Sequence, residues 1–138
     1  MKIAIRYFTK SKKGNTKKLA DAVAAAVSAE AIDVSVDLAE KVDRLFLVNA
    51  MYAANIDKEV KEFLARNKEK IGEVVNLNTS ASGKSTWKTV RKTTDALGIA
   101  LNEKEFHCAG SWIFINKGRP TEEDLARAGA FAASMVGE

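Results

Sequence analysis

Apolar and polar residues follow two rhythms along this chain. Residues 2–8 (K-I-A-I-R-Y-F) are a short run of Ile, Ala and aromatics, predicted as a strand. Residues 16–30 carry Leu19, Val23 and Val27 four apart, the spacing of one helix face. Residues 32–36 read as a weak second strand. Residues 44–49 (R-L-F-L-V-N) are almost continuously apolar, as in a strand covered on both faces. A helix is predicted over 57–70, with Ile56, Val60, Phe63 and Leu64 on one stripe, and a strand over 73–78. Residues 85–97 read as a helix with Trp87, Val90 and Leu97 on one side, and residues 104–109 as the fifth strand. The last helix, 121–136, is well marked: Pro120 precedes Thr121 as N-cap, and Glu122, Glu123 and Asp124 fill the electropositive first turn.

The order β-α-β-β-α-β-α-β-α predicts an α/β fold with a parallel sheet and helices on both faces. One link departs from the pattern. About seven residues join the second strand to the third, whereas parallel neighbours ordinarily need a dozen or more. Seven extended residues reach roughly 23 Å, so either the second strand is very short or its crossover helix has shrunk to a turn.

Composition narrows the class. The 138 residues contain 46% hydrophobic and 29% charged side chains, the balance of one ordinary water-soluble domain spanning 1–138. No linker, repeat or low-complexity tract interrupts it. The single cysteine, Cys108, excludes an internal disulfide and fits a reducing compartment. The first residues have no long apolar core or cleavage site and no apolar run nears the ~20 residues of a membrane span, so no leader, a cytoplasmic location and no membrane partner are expected. The net charge of +4 is spread along the chain. A nucleic-acid binder gathers its charge on one element among aromatics, so no nucleic-acid partner is expected.

The segment after the first strand, T-K-S-K-K-G-N-T (residues 9–16), supplies three hydroxyls, a glycine and a helix start. A helix N-terminus offers unpaired N–H groups and partial positive charge, a ready site for a phosphate. On these residues alone an ordinary capped helix after a polar loop fits equally well. The longer string Y-F-T-K-S-K-K-G-N-T-K-K-L-A, however, resembles the phosphate loop of flavodoxins, a Ser/Thr-rich turn ending in G-N-T before a helix. Residues 48–64 (V-N-A-M-Y-A-A-N-I-D-K-E-V-K-E-F-L) are similar to the second flavin-contacting loop and helix of short flavodoxin-like proteins. F-H-C-A-G and N-K-G-R-P-T-E-E-D-L, within residues 106–125, resemble their last strand, loop and helix.

The resemblance implies a three-layer flavodoxin-like fold, a five-stranded parallel sheet in order 2-1-3-4-5, and noncovalent FMN; with the short link above, the helix between the second and third strands is expected to be shortened or missing. It implies Thr9, Ser11, Gly14, Asn15 and Thr16 at the phosphate, with Lys13 beside them. Asn49, Ala50, Met51, Tyr52 and Ala53 would form the second wall, with Tyr52 against the isoalloxazine ring. Thr79, Ser80, Ala81, Ser82 and Gly83 would meet the pyrimidine edge. No side chain is required as acid or base. Two departures stand out. The phosphate loop is about two residues longer than usual and holds Lys10, Lys12 and Lys13, and Ala53 and Ala54 stand where flavodoxins often have a glycine. Electron carriage and flavin-dependent reduction both remain open, with an unknown, acidic redox partner fitting the positive charge. A degenerate domain that has lost FMN and serves as an interaction module is the alternative.

Other signals carry less. G-K-S-T at 83–86 has the end of a P-loop, but position 78 holds Asn78 instead of the required glycine. His107 and Cys108, adjacent on one strand, should point to opposite faces and form neither a dyad nor a metal site. Trp112 and Phe114 read either as core or as a docking surface.

Overall fold

The computed structural model describes residues 1–10, 14–111 and 117–136. Its elements are β1 (Ile3–Tyr7), α1 (Asn15–Val27), β2 (Ala31–Asp33), β3 (Val42–Ala50), α2 (Lys58–Asn67), β4 (Ile71–Ser80), α3 (Trp87–Leu97), β5 (Ala100–Leu101), β6 (Phe106–Ala109) and α4 (Glu122–Ser134). All strand pairs are parallel, in the order β2-β1-β3-β4-β5, with β6 also on β4. This is the flavodoxin-like order.

Successive residues of the central strands point to opposite faces, and each face has its own core. Leu45, Leu47 and Val74 pack with Val60, Phe63 and Leu64 of α2 and Val90 of α3. Phe46, Val48, Val75 and Leu77 pack with Leu19, Ala20 and Val23 of α1 and Ala128, Ala132 and Met135 of α4. The continuous apolar run of the third strand thus reflects burial on both sides.

At the short link both the strand and the helix are reduced, as the chain length required. β2 has three residues, and no helix follows it. Tyr7 lies beside Asp33 and Ile3 beside Arg44, so the chain must travel back along β1 to enter β3. Residues 34–41 do this as an irregular strap. Val34 and Leu38 enter the core where a crossover helix would sit. Val34 N and Val36 N bond the backbone carbonyls of Tyr7 and Asp33 (3.0 and 3.1 Å), while the strap's carbonyls and the Leu38 amide are satisfied by side chains rather than by helical bonds, as buried polar groups require. Arg6 donates from Nε to Val36 O (2.9 Å) and from Nη2 to Asp37 O (3.0 Å). Arg66 Nη2 reaches Val34 O (3.0 Å), Asn67 Oδ1 accepts from Leu38 N (3.0 Å), and Lys70 Nζ reaches Leu38 O (2.9 Å).

Several expected boundaries move. β3 and β4 extend to residues 50 and 80, so Ala50, Thr79 and Ser80 lie in strands. α1 ends at Val27, with Ser28 left-handed at its C-cap. The fifth position of the sheet is filled by two pieces: β5 pairs with Glu73 and Val74, and β6 with residues 77–80. Asn102 N still donates to Val74 O (2.9 Å); residues 103–105 then leave the ladder, and Asn102 O accepts from Trp87 Nε1 (2.9 Å). The two-residue β5 is too short to show a period in the sequence.

Candidate functional site

In a parallel sheet all strands end at one edge. The chain order reverses between β1 and β3, and a crevice opens outside the strand ends at such a point. Four connections meet there: those leaving β1, β3, β4 and β6.

Gly14 ends the first connection in the left-handed region (φ 64°), which glycine adopts at no steric cost. It gives α1 no side-chain cap, and the first helical bond runs from Lys18 N to Gly14 O (2.8 Å). The amides of the first turn therefore have no intrahelical acceptor. The side chains of Asn15 and Thr16 face inward, at 5% and 1% exposure. Asn15 Nδ2 donates to Ser111 O (2.8 Å), and Thr16 Oγ1 pairs with Thr79 Oγ1 (3.1 Å). These contacts pin the start of α1 to the strand ends. Ser11 and Lys13, together with Lys12, lie outside the described residues, as do Trp112 and Phe114. Gly110 closes the arrangement: a Cβ there would come within 3.3 Å of the Thr79 Cβ.

The first and second connections are joined through Lys10. Its backbone N–H donates to Tyr52 Oη (2.8 Å), and its ammonium lies 5.1 Å from the Tyr52 ring centroid and 2.8 Å from Asp57 Oδ2. Asp57 also caps α2 by accepting from Glu59 N (2.9 Å). Burial works to raise the Asp57 pKa. The hydrogen bonds from Lys10 and Glu59 outweigh it and hold the carboxyl below the usual range.

Met51 N donates to Thr79 O (3.1 Å), carrying the ladder one residue past β3. The chain then reverses in a two-residue turn, with paired bonds between Tyr52 and Asn55 (2.7 and 2.9 Å). Its central residues, Ala53 (φ 49°) and Ala54 (φ 60°), are both left-handed. Such turns favour Asn-Gly, and a left-handed residue with a Cβ costs about 1–2 kcal/mol. Ala54→Gly should therefore raise stability by roughly 0.5–1 kcal/mol after glycine's greater unfolded-state entropy is counted. Urea unfolding measures it, and an unchanged or lowered midpoint would mean the turn relaxes away from this conformation.

The third connection is held by a buried polar set, of which the sequence reading did not single out Asn76 and Thr86. Asn49, Asn76, Asn78 and Thr86 are each 0% exposed. Asn49 was expected at the cofactor wall. Its side chain instead lies inside the sheet, donating to Asn76 Oδ1 (2.7 Å) and accepting from Thr86 Oγ1 (2.7 Å). Ala50 is buried at the end of β3, and Thr79 and Ser80 at the end of β4. Ala81, Ser82 and Gly83 form the tip, where Gly83 N returns to Ser80 O (3.2 Å). The missed signal was V-V-N-L-N-T, asparagine at alternate positions of an apolar strand.

Beyond this edge, a cleft of about 540 Å³ is lined by Ser85, Trp87, Lys88, Glu103 and Glu105. Glu105 accepts from the Ser85 hydroxyl and meets His107 Nδ1 (2.9 Å). His107 is exposed and Cys108 buried, as opposite faces require. Burial pushes the Cys108 thiol up to about 11, so it packs as an apolar group.

With the geometry in hand, the known proteins can be compared. The flavodoxin domain model matches residues 7–109, and the chain belongs to the flavodoxin domain family. Among curated proteins no sequence matches significantly. Solved structures do. The chain is similar to a flavodoxin from Archaea (14% identity, TM-score 0.74, covering 98% of this chain and 96% of that one). It is similar to oxidised Flavodoxin 2 from Bacillus cereus (18%, 0.68, 96% and 95%). A flavodiiron core from Synechocystis also matches (17%, 0.67), covering 96% of this chain and 35% of that one. At these identities the likeness shows the fold. No helix among the described residues is long and apolar enough to cross a membrane.

Proposed function

We propose that this domain binds FMN noncovalently and serves in electron transfer or flavin-dependent reduction. The observation that carries the reading is the edge between β1 and β3, where left-handed Gly14 opens α1 without a side-chain cap and where Tyr52 is bonded to Lys10 of the same connection. The donor chemistry fits the group. First-turn amides of α1, with Thr9 and Ser11, suit a phosphate. The Tyr52 ring suits a planar heterocycle, and the polar backbone of the 81–83 tip suits an edge of carbonyls and N–H groups.

Bound FMN would supply the electron chemistry. The chain's residues bind and orient it. Asn15 and Thr16 act in this reading by fixing the helix start, so that the amides rather than these side chains meet the phosphate. The positive charge favours an acidic redox partner.

Titrating FMN with the protein should quench flavin fluorescence and leave a yellow protein after desalting. Riboflavin, lacking the phosphate, should bind roughly ten- to a hundredfold more weakly, the worth of one or two hydrogen bonds to a charged group. Absence of quenching would overturn the reading. It would favour the second one, an interaction module without flavin, for which the observation is the Lys10 ammonium 5.1 Å from the Tyr52 ring centroid.

A further inference from the structure

The carbonyl of Lys84 receives two side-chain hydrogen bonds from the strand the chain has just left: Asn78 Nδ2 at 3.0 Å and Ser80 Oγ at 2.9 Å. Asn78 Oδ1 accepts from Thr86 N (3.0 Å), the residue before α3. Asn78 therefore holds two successive points of the returning chain, and residues 81–83 stand as a tip whose base is fixed on both sides. Gly110 N and Gly83 N both donate to Ser80 O (3.0 and 3.2 Å), which fixes the other end.

Behind this clamp the network closes on itself. Asn76 Nδ2 donates to Thr86 Oγ1 (3.0 Å), Thr86 Oγ1 to Asn49 Oδ1 (2.7 Å), and Asn49 Nδ2 to Asn76 Oδ1 (2.7 Å). The rest of this face is Leu45, Leu47, Val74 and Val90. An apolar side chain at any of these positions would be the simpler way to fill a core, since buried polar groups are costly unless fully satisfied. The polar set fixes a loop, which a Leu or Val cannot do.

We propose that Asn78 and Ser80 are positioning residues that preshape the 81–84 loop for the polar edge of a planar heterocycle, and so set selectivity for the ring system rather than for the phosphate. The proposal rests on the flavin reading above. It assigns ring discrimination to two side chains that need not touch the ligand. Preorganised polar groups bind more tightly because the ordering is complete before the ligand arrives.

The test compares three ligands on the parent, Ser80→Ala, Asn78→Ala and the double variant: FMN, 3-methyl-FMN (phosphate kept, ring-edge N–H blocked) and riboflavin (ring kept, phosphate absent). The parent should prefer FMN over 3-methyl-FMN by about tenfold, the worth of one hydrogen bond. The variants should lose most of that preference while keeping the FMN-to-riboflavin ratio. A merely structural role would lower the unfolding midpoint and leave both ratios unchanged, which overturns the proposal. Should Asn78→Ala fail to fold, Ser80→Ala alone decides, because it removes one of the two bonds to Lys84 O. A parent that binds no FMN overturns the flavin reading together with this inference. A parent that binds FMN, with variants of unchanged discrimination, overturns this inference alone.

Discussion

Arg6→Ala should cost about 3–5 kcal/mol and lower the unfolding midpoint by roughly 10 °C or more. Arg6 is 5% exposed, on a strand whose neighbours on the same face are apolar. Its guanidinium lies 6.0 Å from the Phe63 ring centroid and donates to three carbonyls, those of Ile5, Val36 and Asp37. Burial lowers its pKa, which the charges of Asp37 and Glu30 oppose, and an arginine remains protonated at neutral pH all the same. Truncation removes the aliphatic stem from the core and two donors from the strap that replaces a crossover helix. Arg6→Met separates these effects. It keeps the stem, loses the donors, and should cost about half as much. A loss below about 1 kcal/mol in Arg6→Ala would show that Val34 and Leu38 hold the strap by apolar contact alone.

That strap also marks where the sequence stops being legible. The periodicities predicted the sheet and its helices because burial on one or two faces leaves a repeating trace. The seven-residue link predicted a missing or shrunken helix from chain length alone. It did not predict what replaces the helix. The stabilising groups, Arg6, Arg66, Asn67 and Lys70, are scattered in sequence and act only after the chain has folded over them. Arg6 inside a strand of Ile, Ala and Tyr was the available clue, a charged residue that needs a partner if buried.

The candidate site divides in the same way. The glycine and the helix start were readable because each has a local physical signature, whereas Tyr52 was placed by resemblance. Asn15, Thr16 and Asn49 were placed by resemblance at the ligand, and here their side chains bond Ser111, Thr79 and the Asn76–Thr86 pair. Side-chain direction at a strand end depends on where the strand stops, and β3 and β4 each run further than their apolar runs indicated. Polar residues at strand ends are hard to assign from sequence for this reason: buried network and open site draw on the same residue types.

Asp124→Asn should cost about 2–3 kcal/mol at pH 7, and the difference should vanish as the pH falls towards 2. Asp124 is 1% exposed. Burial by itself raises its pKa, but the groups around it reverse the sign. Arg119 donates from Nε (2.6 Å) and Nη2 (3.0 Å), and Thr121 N donates at 2.8 Å within a capping box. The net effect lowers the carboxyl to about 2. The ordinary unfolded value is about 3.9, and each unit is worth about 1.4 kcal/mol. A depressed folded pKa contributes stability that is fully present above the unfolded value and is lost as pH falls through the folded one. The window is therefore roughly pH 4 to 2, and comparing parent with variant isolates it from the other carboxylates. The effect should reach the candidate site, because Arg119 O accepts from Ser111 N (2.9 Å) and Ser111 holds Asn15 at the start of α1. On the proposed flavin reading, FMN should bind more weakly to D124N than to the parent at pH 7, while the ratio between FMN and 3-methyl-FMN stays unchanged. Stability curves that run parallel from pH 7 to 2 would show that the Asp124 charge is not what holds the α4 N-terminus.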